Sequence, residues 1–190
     1  MEGRPDTALN SELWKRLDAH TIGPETATLS FAARLARENR WENSFTQRVI
    51  GEYKRFCYLA VTADEEVTPS DAVDQVWHLH LTYSRDYWGE FCPEILGEEL
   101  HHGPTAGGAA ESSRLYDQYA ATLALYEDAF EQIAPPDIWP AVQRRFGKDP
   151  KAFRVHPEDV MVLERRFAVL GAVGWIALGV VIAVLIGVAI

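Results

Sequence analysis

The chain has 190 residues, 47% of them hydrophobic, and 18 Lys+Arg against 28 Asp+Glu give a formal net charge of −10. That length suits one domain of ordinary size, and the apolar share excludes a disordered or low-complexity chain. The acidic balance, with no basic stripe, excludes a protein that grips nucleic-acid phosphates, and two cysteines are too few for a disulfide scaffold.

Periodicity near 3.6 residues dominates the charged part of the chain, and no convincing strand pair is visible. Ser11 can cap a short helix carrying Leu13, Trp14, Leu17 and His20, which the Thr21 to Pro24 stretch ends. A second helix is expected from about Glu25 to Asn39. A third opens at Asn43 or Ser44 and runs to about Thr62, with Phe45, Val49, Tyr53, Phe56, Cys57 and Ala60 as its apolar stripe. Thr68-Pro69-Ser70-Asp71 is a strong helix start, with Ser70 as cap and Asp71 and Asp74 near the positive end of the dipole. This fourth helix reaches Tyr83 or continues to Phe91, and Pro93 and Gly97 interrupt it. Residues 101–111 read as a Gly/Pro loop, and Ser113 is the expected cap of a fifth helix that buries Leu115, Tyr119, Leu123, Tyr126, Phe130 and Ile133. Pro135, Pro136 and Pro140 stiffen the chain around Trp139, and a last helix is expected near Glu158 to Arg166. Trp77, Tyr83, Tyr87, Trp88 and Phe91 crowd one stretch, as core anchors or as a concave aromatic surface for a ligand.

Residues 168–190, AVLGAVGWIALGVVIAVLIGVAI, carry no charge. About 20 such residues cross a hydrocarbon core of about 30 Å as a helix. The N-terminal ten residues show no secretory signal. The expectation is a tail-anchored, single-pass chain. Arg165 and Arg166 precede the segment, with Lys148, Lys151 and Arg154 nearby, so the positive-inside rule places the N-terminal domain in the cytoplasm. Cys57 and Cys92 would then be reduced packing residues. Gly179, Ala183 and Gly187 recur at i, i+4 and i+8, a spacing that lets two membrane helices approach and makes a homodimer one reading of this face.

Four of the six histidines fall between His78 and His102. Imidazole is the commonest metal ligand and a ready proton carrier near neutral pH. At about 100° per residue on an unbroken helix, His80 sits amid the apolar face, while His78 lies about 160° away on the polar side. His78 and His80 therefore cannot chelate one ion together. Asp74 is only about 40° from His78, one turn earlier. Asp74 and His78 can share a site that His101 or His102 completes if the loop folds back, and the candidate metal ligands are Asp74, His78, His101 and His102. A metal-free acid–base pair and a plain i, i+4 helix contact remain open readings of the same residues. His80 is read as a core histidine bonded to Ser84 or to a neighbouring helix. No HExxH, nucleophile elbow, P-loop or dinucleotide fingerprint is present.

Asp74-Gln-Val-Trp77-His78-Leu-His80, followed by Tyr87 and by Ile95-Leu96-Gly97-Glu-Glu-Leu100, resembles the glycine-rich domain-containing protein-like family, over roughly residues 45–102. The resemblance implies a helical domain found in bacteria, fungi and plants, often joined to other modules. It implies Asp74, Trp77, His78 and His80 as motif positions, and no reaction type. Some plant relatives are tied to RNA; this chain lacks the glycine-rich tail, so an RNA role does not carry over.

The expected fold is all-α: a compact bundle of about five helices in residues 1–150, a juxtamembrane connector at 151–167, and one transmembrane helix at 168–190. Trp77, His80 and Tyr87 are expected to be structural. The expected function is a membrane-anchored cytoplasmic interaction or ligand-sensing module with a protein partner. The alternative is a metal-dependent hydrolase that uses Asp74, His78 and His101 or His102, with Glu94, Glu98 or Glu99 as base. The balance falls against an enzyme. No cofactor is certain from the sequence, and a divalent transition metal is the one the residues could hold.

Overall fold

Ser11 begins the described architecture as a true cap, its Oγ accepting the Trp14 backbone N–H at 3.1 Å. The structure is a computed structural model that describes residues 8–147 except Glu25. A 3₁₀ turn (Ala8–Asn10) leads into α1 (Glu12–Ala19), which buries Trp14 and Leu17. α2 (Phe31–Asn39) starts at the Ser30 cap and stops where Arg40 turns left-handed at φ 55°. The expected start near Glu25 is thus six residues early: Ser30 satisfies the first-turn N–H of Ala33. α3 (Asn43–Thr62) is the central element and packs on α1, α2, α4 (Asp71–Thr82) and α6 (Ala109–Phe130). Its Val49, Tyr53, Phe56, Cys57 and Leu59 form the middle of the core. Both cysteines are free and buried.

Ser70 caps α4 through Val73 N–H at 3.2 Å. The preceding strap is tied to α6, where Thr68 N–H donates to Thr122 Oγ1 at 2.9 Å. α4 ends at Tyr83. The chain then makes a short turn of helix, α5 (Ser84–Asp86), and a π-helical stretch (Tyr87–Leu96) that contains Pro93 and closes on Gly97 at φ 93°. Pro93 therefore lies inside helical structure instead of interrupting it. A loop at 97–108 leads to α6, which opens at Ala109 after Gly108, four residues before the expected Ser113 cap. It closes at Phe130, so Ile133, expected on its buried face, is 78% exposed. The Trp139 indole N–H then donates to the buried Glu52 carboxylate at 3.0 Å, pinning the proline-rich stretch to α3. α7 (Val142–Gly147) was not foreseen.

Among the described residues the chain is all-helical, with seven α-helical segments where about five were expected, and no strand. Among these residues no helix is long and apolar enough to cross a membrane. The expected helix near Glu158, the basic flank, the span at 168–190 and its Gly179, Ala183 and Gly187 face lie outside the described residues.

Candidate functional site

α4 presents two opposite faces, and each carries an imidazole–carboxylate cluster. On the outer face, Asp74 and His78 stand one turn apart, as their spacing requires. Asp74 Oδ1 lies 2.9 Å from His102 Nε2, and Asp74 Oδ2 lies 3.7 Å from His78 Nδ1. The two imidazole rings are 4.4 Å apart. One ligand atom from each of Asp74, His78 and His102 falls within 4.8 Å of the others, close enough to share an ion. His101 goes elsewhere: it pairs with Glu99 at 3.0 Å and packs on Trp88.

His102 reaches this place because its loop is gripped from below. The Trp77 indole donates to the Tyr87 hydroxyl at 2.8 Å, and Tyr87 in turn donates to the Leu100 carbonyl. The Trp77 ring then packs edge-on against His102 at 4.5 Å. Trp77 and Tyr87, both buried, are thus positioning residues of the outer site as well as core. Trp88, from the same aromatic run, is exposed. Beside the cluster runs a groove of about 490 Å³, walled by Phe56, Val67, Trp77, His102 and Arg114.

On the inner face, His80 is fully buried. Its partner is not Ser84. Nε2 lies 2.7 Å from Asp86 Oδ1, and Nδ1 lies 2.9 Å from the Tyr53 hydroxyl. His20, at the C-terminal cap of α1, brings its Nε2 to 3.3 Å from the same Asp86 oxygen. The other carboxylate oxygen accepts the Gly23 backbone N–H at 2.8 Å. Gly23 is held at φ 78° against the Tyr83 ring, where a Cβ would come within 2.8 Å of Tyr83 Cε1. A side chain there would displace the N–H that orients Asp86. Burial lowers the His80 pKa against the opposing pull of Asp86, which favours a neutral imidazole. Burial works to raise Asp86, but hydrogen bonds from His80 and Gly23 outweigh it and hold the carboxyl below its ordinary value.

Sequence reasoning missed His20 and Asp86. His20 is a single histidine at a helix end, with no neighbour in sequence to mark it. On an unbroken helix Asp86 would lie about 120° from His80. Only the break at Tyr83, φ −85° and ψ 52°, turns it back.

Residues 27–117, just under half of the chain, match the model of a family described as UCP032817-like. This corrects the resemblance to the glycine-rich domain-containing family. The Asp74–His80 block and the downstream segment that suggested it lie inside the matched stretch, so those residues mark similarity to a different family. No curated protein and no solved structure matches the chain.

Proposed function

We propose that this chain is a ligand-sensing helical module whose input is a divalent transition ion held by Asp74, His78 and His102. The observation that carries the reading is the convergence of these three side chains, two of which, Asp74 and His102, line the groove. Two imidazoles and a carboxylate suit Zn²⁺ and its first-row neighbours. Ligation would fasten the 97–108 loop to α4, and a protein partner would read that change on the groove side. The uncharged segment at 168–190 and its basic flank support a membrane tether, with the helical domain on the cytoplasmic side and a homodimer through Gly179, Ala183 and Gly187. The acidic charge speaks against a nucleic-acid partner.

A metal-dependent hydrolase is the second reading, favoured by a set of three protein ligands that leaves a coordination position open. The sensing reading is preferred because none of the expected bases Glu94, Glu98 and Glu99 lines the groove beside the cluster, and the carboxylates that pair nearby hold other partners. Glu99 pairs with His101, and Glu66 and Glu111 pair with Arg114. None of these is free to serve as general base.

The test is equilibrium zinc binding to the full chain after chelator treatment, read by elemental analysis. His78→Ala and His102→Ala should each lose one equivalent, and His101→Ala should keep it. A zinc stoichiometry in His102→Ala equal to the parent's, or one equivalent lower in His101→Ala, overturns the reading. The tether is tested by carbonate extraction of membranes: recovery of the full chain in the supernatant, like residues 1–167, removes it.

A further inference from the structure

We infer that His20, His80 and Asp86 form a second, interior centre for a divalent first-row transition ion, independent of the outer one. Three ligand atoms, one from each residue, already lie within 4.8 Å of one another. Around an ion with bonds of about 2.1 Å, neighbouring ligand atoms stand about 3.0–3.4 Å apart. His20 Nε2 and Asp86 Oδ1 are at 3.3 Å. His80 Nε2 and Asp86 Oδ1, at 2.7 Å, need to part by only a few tenths of an ångström.

The groups behind the ligands also suit an ion. A metal-bound imidazole carries its proton on the outer nitrogen, and that N–H needs an acceptor. His80 Nδ1 faces the Tyr53 hydroxyl at 2.9 Å. His20 Nδ1 faces the Glu90 carboxylate at 3.9 Å. Asp86 Oδ2 is held by Gly23 N–H, which leaves Oδ1 pointing inward. His80 and Asp86 therefore each have an outer hydrogen-bond partner, and Glu90 stands at ion-pair distance from the outer nitrogen of His20, able to accept its N–H after a shift of under about 1 Å. A purely structural hydrogen-bond pair between His80 and Asp86 would need neither Glu90 nor a second imidazole on the same oxygen.

Loading the ion balances simply. Without metal, each Nε2–H donates to Asp86 Oδ1. On binding, each imidazole moves its proton from Nε2 to Nδ1, toward Tyr53 or Glu90, and both Nε2 lone pairs turn to the ion. No proton need be released. Two histidines and one carboxylate leave further coordination positions open. These would face a cavity of about 870 Å³ walled by Arg16, Thr21, Arg85 and Glu90. The adjoining π-helical stretch supplies Glu90 and also Phe91, which packs on both imidazoles at 5.4 and 4.7 Å. Such irregular helix is frequent at functional sites.

The experiment is a Co²⁺ titration of the full chain, followed by visible absorption, in a His78→Ala/His102→Ala background that silences the outer centre. One saturable equivalent is expected. Asp86→Asn and His20→Gln should each weaken it by about 100-fold or more, and Glu90→Gln by about 10-fold. Glu90 is exposed, so its variant keeps the fold if Asp86→Asn and His20→Gln do not. Absence of a saturable equivalent in the background overturns the inference. So does unchanged affinity in Glu90→Gln, or in a folded Asp86→Asn.

Discussion

His80→Ala and His78→Ala remove the same side chain from the same helix, two residues apart, and should differ sharply in stability. His80 is fully buried and packs against four rings, Phe31, Tyr53, Tyr87 and Phe91, at centroid distances of 4.7 to 6.0 Å. Truncation opens a cavity among them, a change that costs about 2–5 kcal/mol for comparable core deletions. It also strips a partner from the Tyr53 hydroxyl, which is fully buried and cannot turn to water. The hydroxyl keeps only the weakly bonding Cys57 thiol, so this loss adds about 1 kcal/mol, the low end for a buried polar group losing a partner. Asp86 loses less, because its side chain keeps 13% exposure and the Gly23 hydrogen bond. With partial collapse of the cavity the sum is about 4 kcal/mol. For a chain of this size that is a fall in Tm of about 8–16 °C. His78, half-exposed with its nearest carboxylate at 3.7 Å, should change stability by no more than about 0.5 kcal/mol. The assay is urea unfolding of both variants in chelator, so that metal binding does not contribute. A His80→Ala loss below about 1 kcal/mol, or a larger loss in His78→Ala, would refute the assignment of the two faces.

Two further outcomes follow from burial and charge. Burial pushes the thiols of Cys57 and Cys92 up, so neither is a thiolate at neutral pH. A maleimide should label the native protein slowly and the urea-unfolded chain at once; rapid native labelling of Cys57 would contradict the packing. Arg48 holds Asp137 through paired hydrogen bonds of 2.8 Å and lowers its pKa. A carboxyl depressed in the folded state stabilises above its unfolded pKa, and that contribution is lost as pH falls through the folded value. Asp137→Asn should therefore match the parent at the lowest pH, fall progressively below it as pH rises through the depressed and then the ordinary carboxylate value, and show the full gap above that. The gap should narrow with salt, because the pair is exposed. A gap that persists to the lowest pH would assign the effect to something other than the ion pair.

The legible parts of the sequence were those governed by local rules. Ser11 and Ser70 cap where the hydroxyl and the next apolar residues predict it. The pairing of Asp74 with His78, and the opposition of His78 to His80, follow from one angle per residue along α4. Which of His101 and His102 joins Asp74 was not legible, because a tyrosine thirteen residues back decides it by gripping Leu100. Ile133 was misplaced because Glu131, left-handed at φ 52°, ends the helix one residue after Phe130 without glycine to announce it. The inner cluster was invisible for the same kind of reason: Asp86 and the His20–Gly23 stretch come from two distant segments that only tertiary packing brings together.

The stretch from Tyr87 to Leu96 shows why helix arithmetic failed where the chemistry is densest. Its buried residues are Tyr87, Phe91, Cys92 and Leu96. At about 100° per residue, Leu96 would point opposite Tyr87 and could not share its core face. An i→i+5 ladder, closed by Gly97 N–H on the Cys92 carbonyl at 2.9 Å, brings all four to one side and leaves Glu90 and Glu94 exposed. Pro93 lies inside this stretch and leaves one bond of the ladder unmade. The sequence pattern therefore selects the irregular helix: only in that register are four apolar residues buried and two glutamates kept out. The same register sets Phe91 under His20 and His80, Glu90 behind His20, and Tyr87 between Trp77 and Leu100. One irregular segment thus supports both histidine clusters, the inner by contact and the outer through the loop it holds.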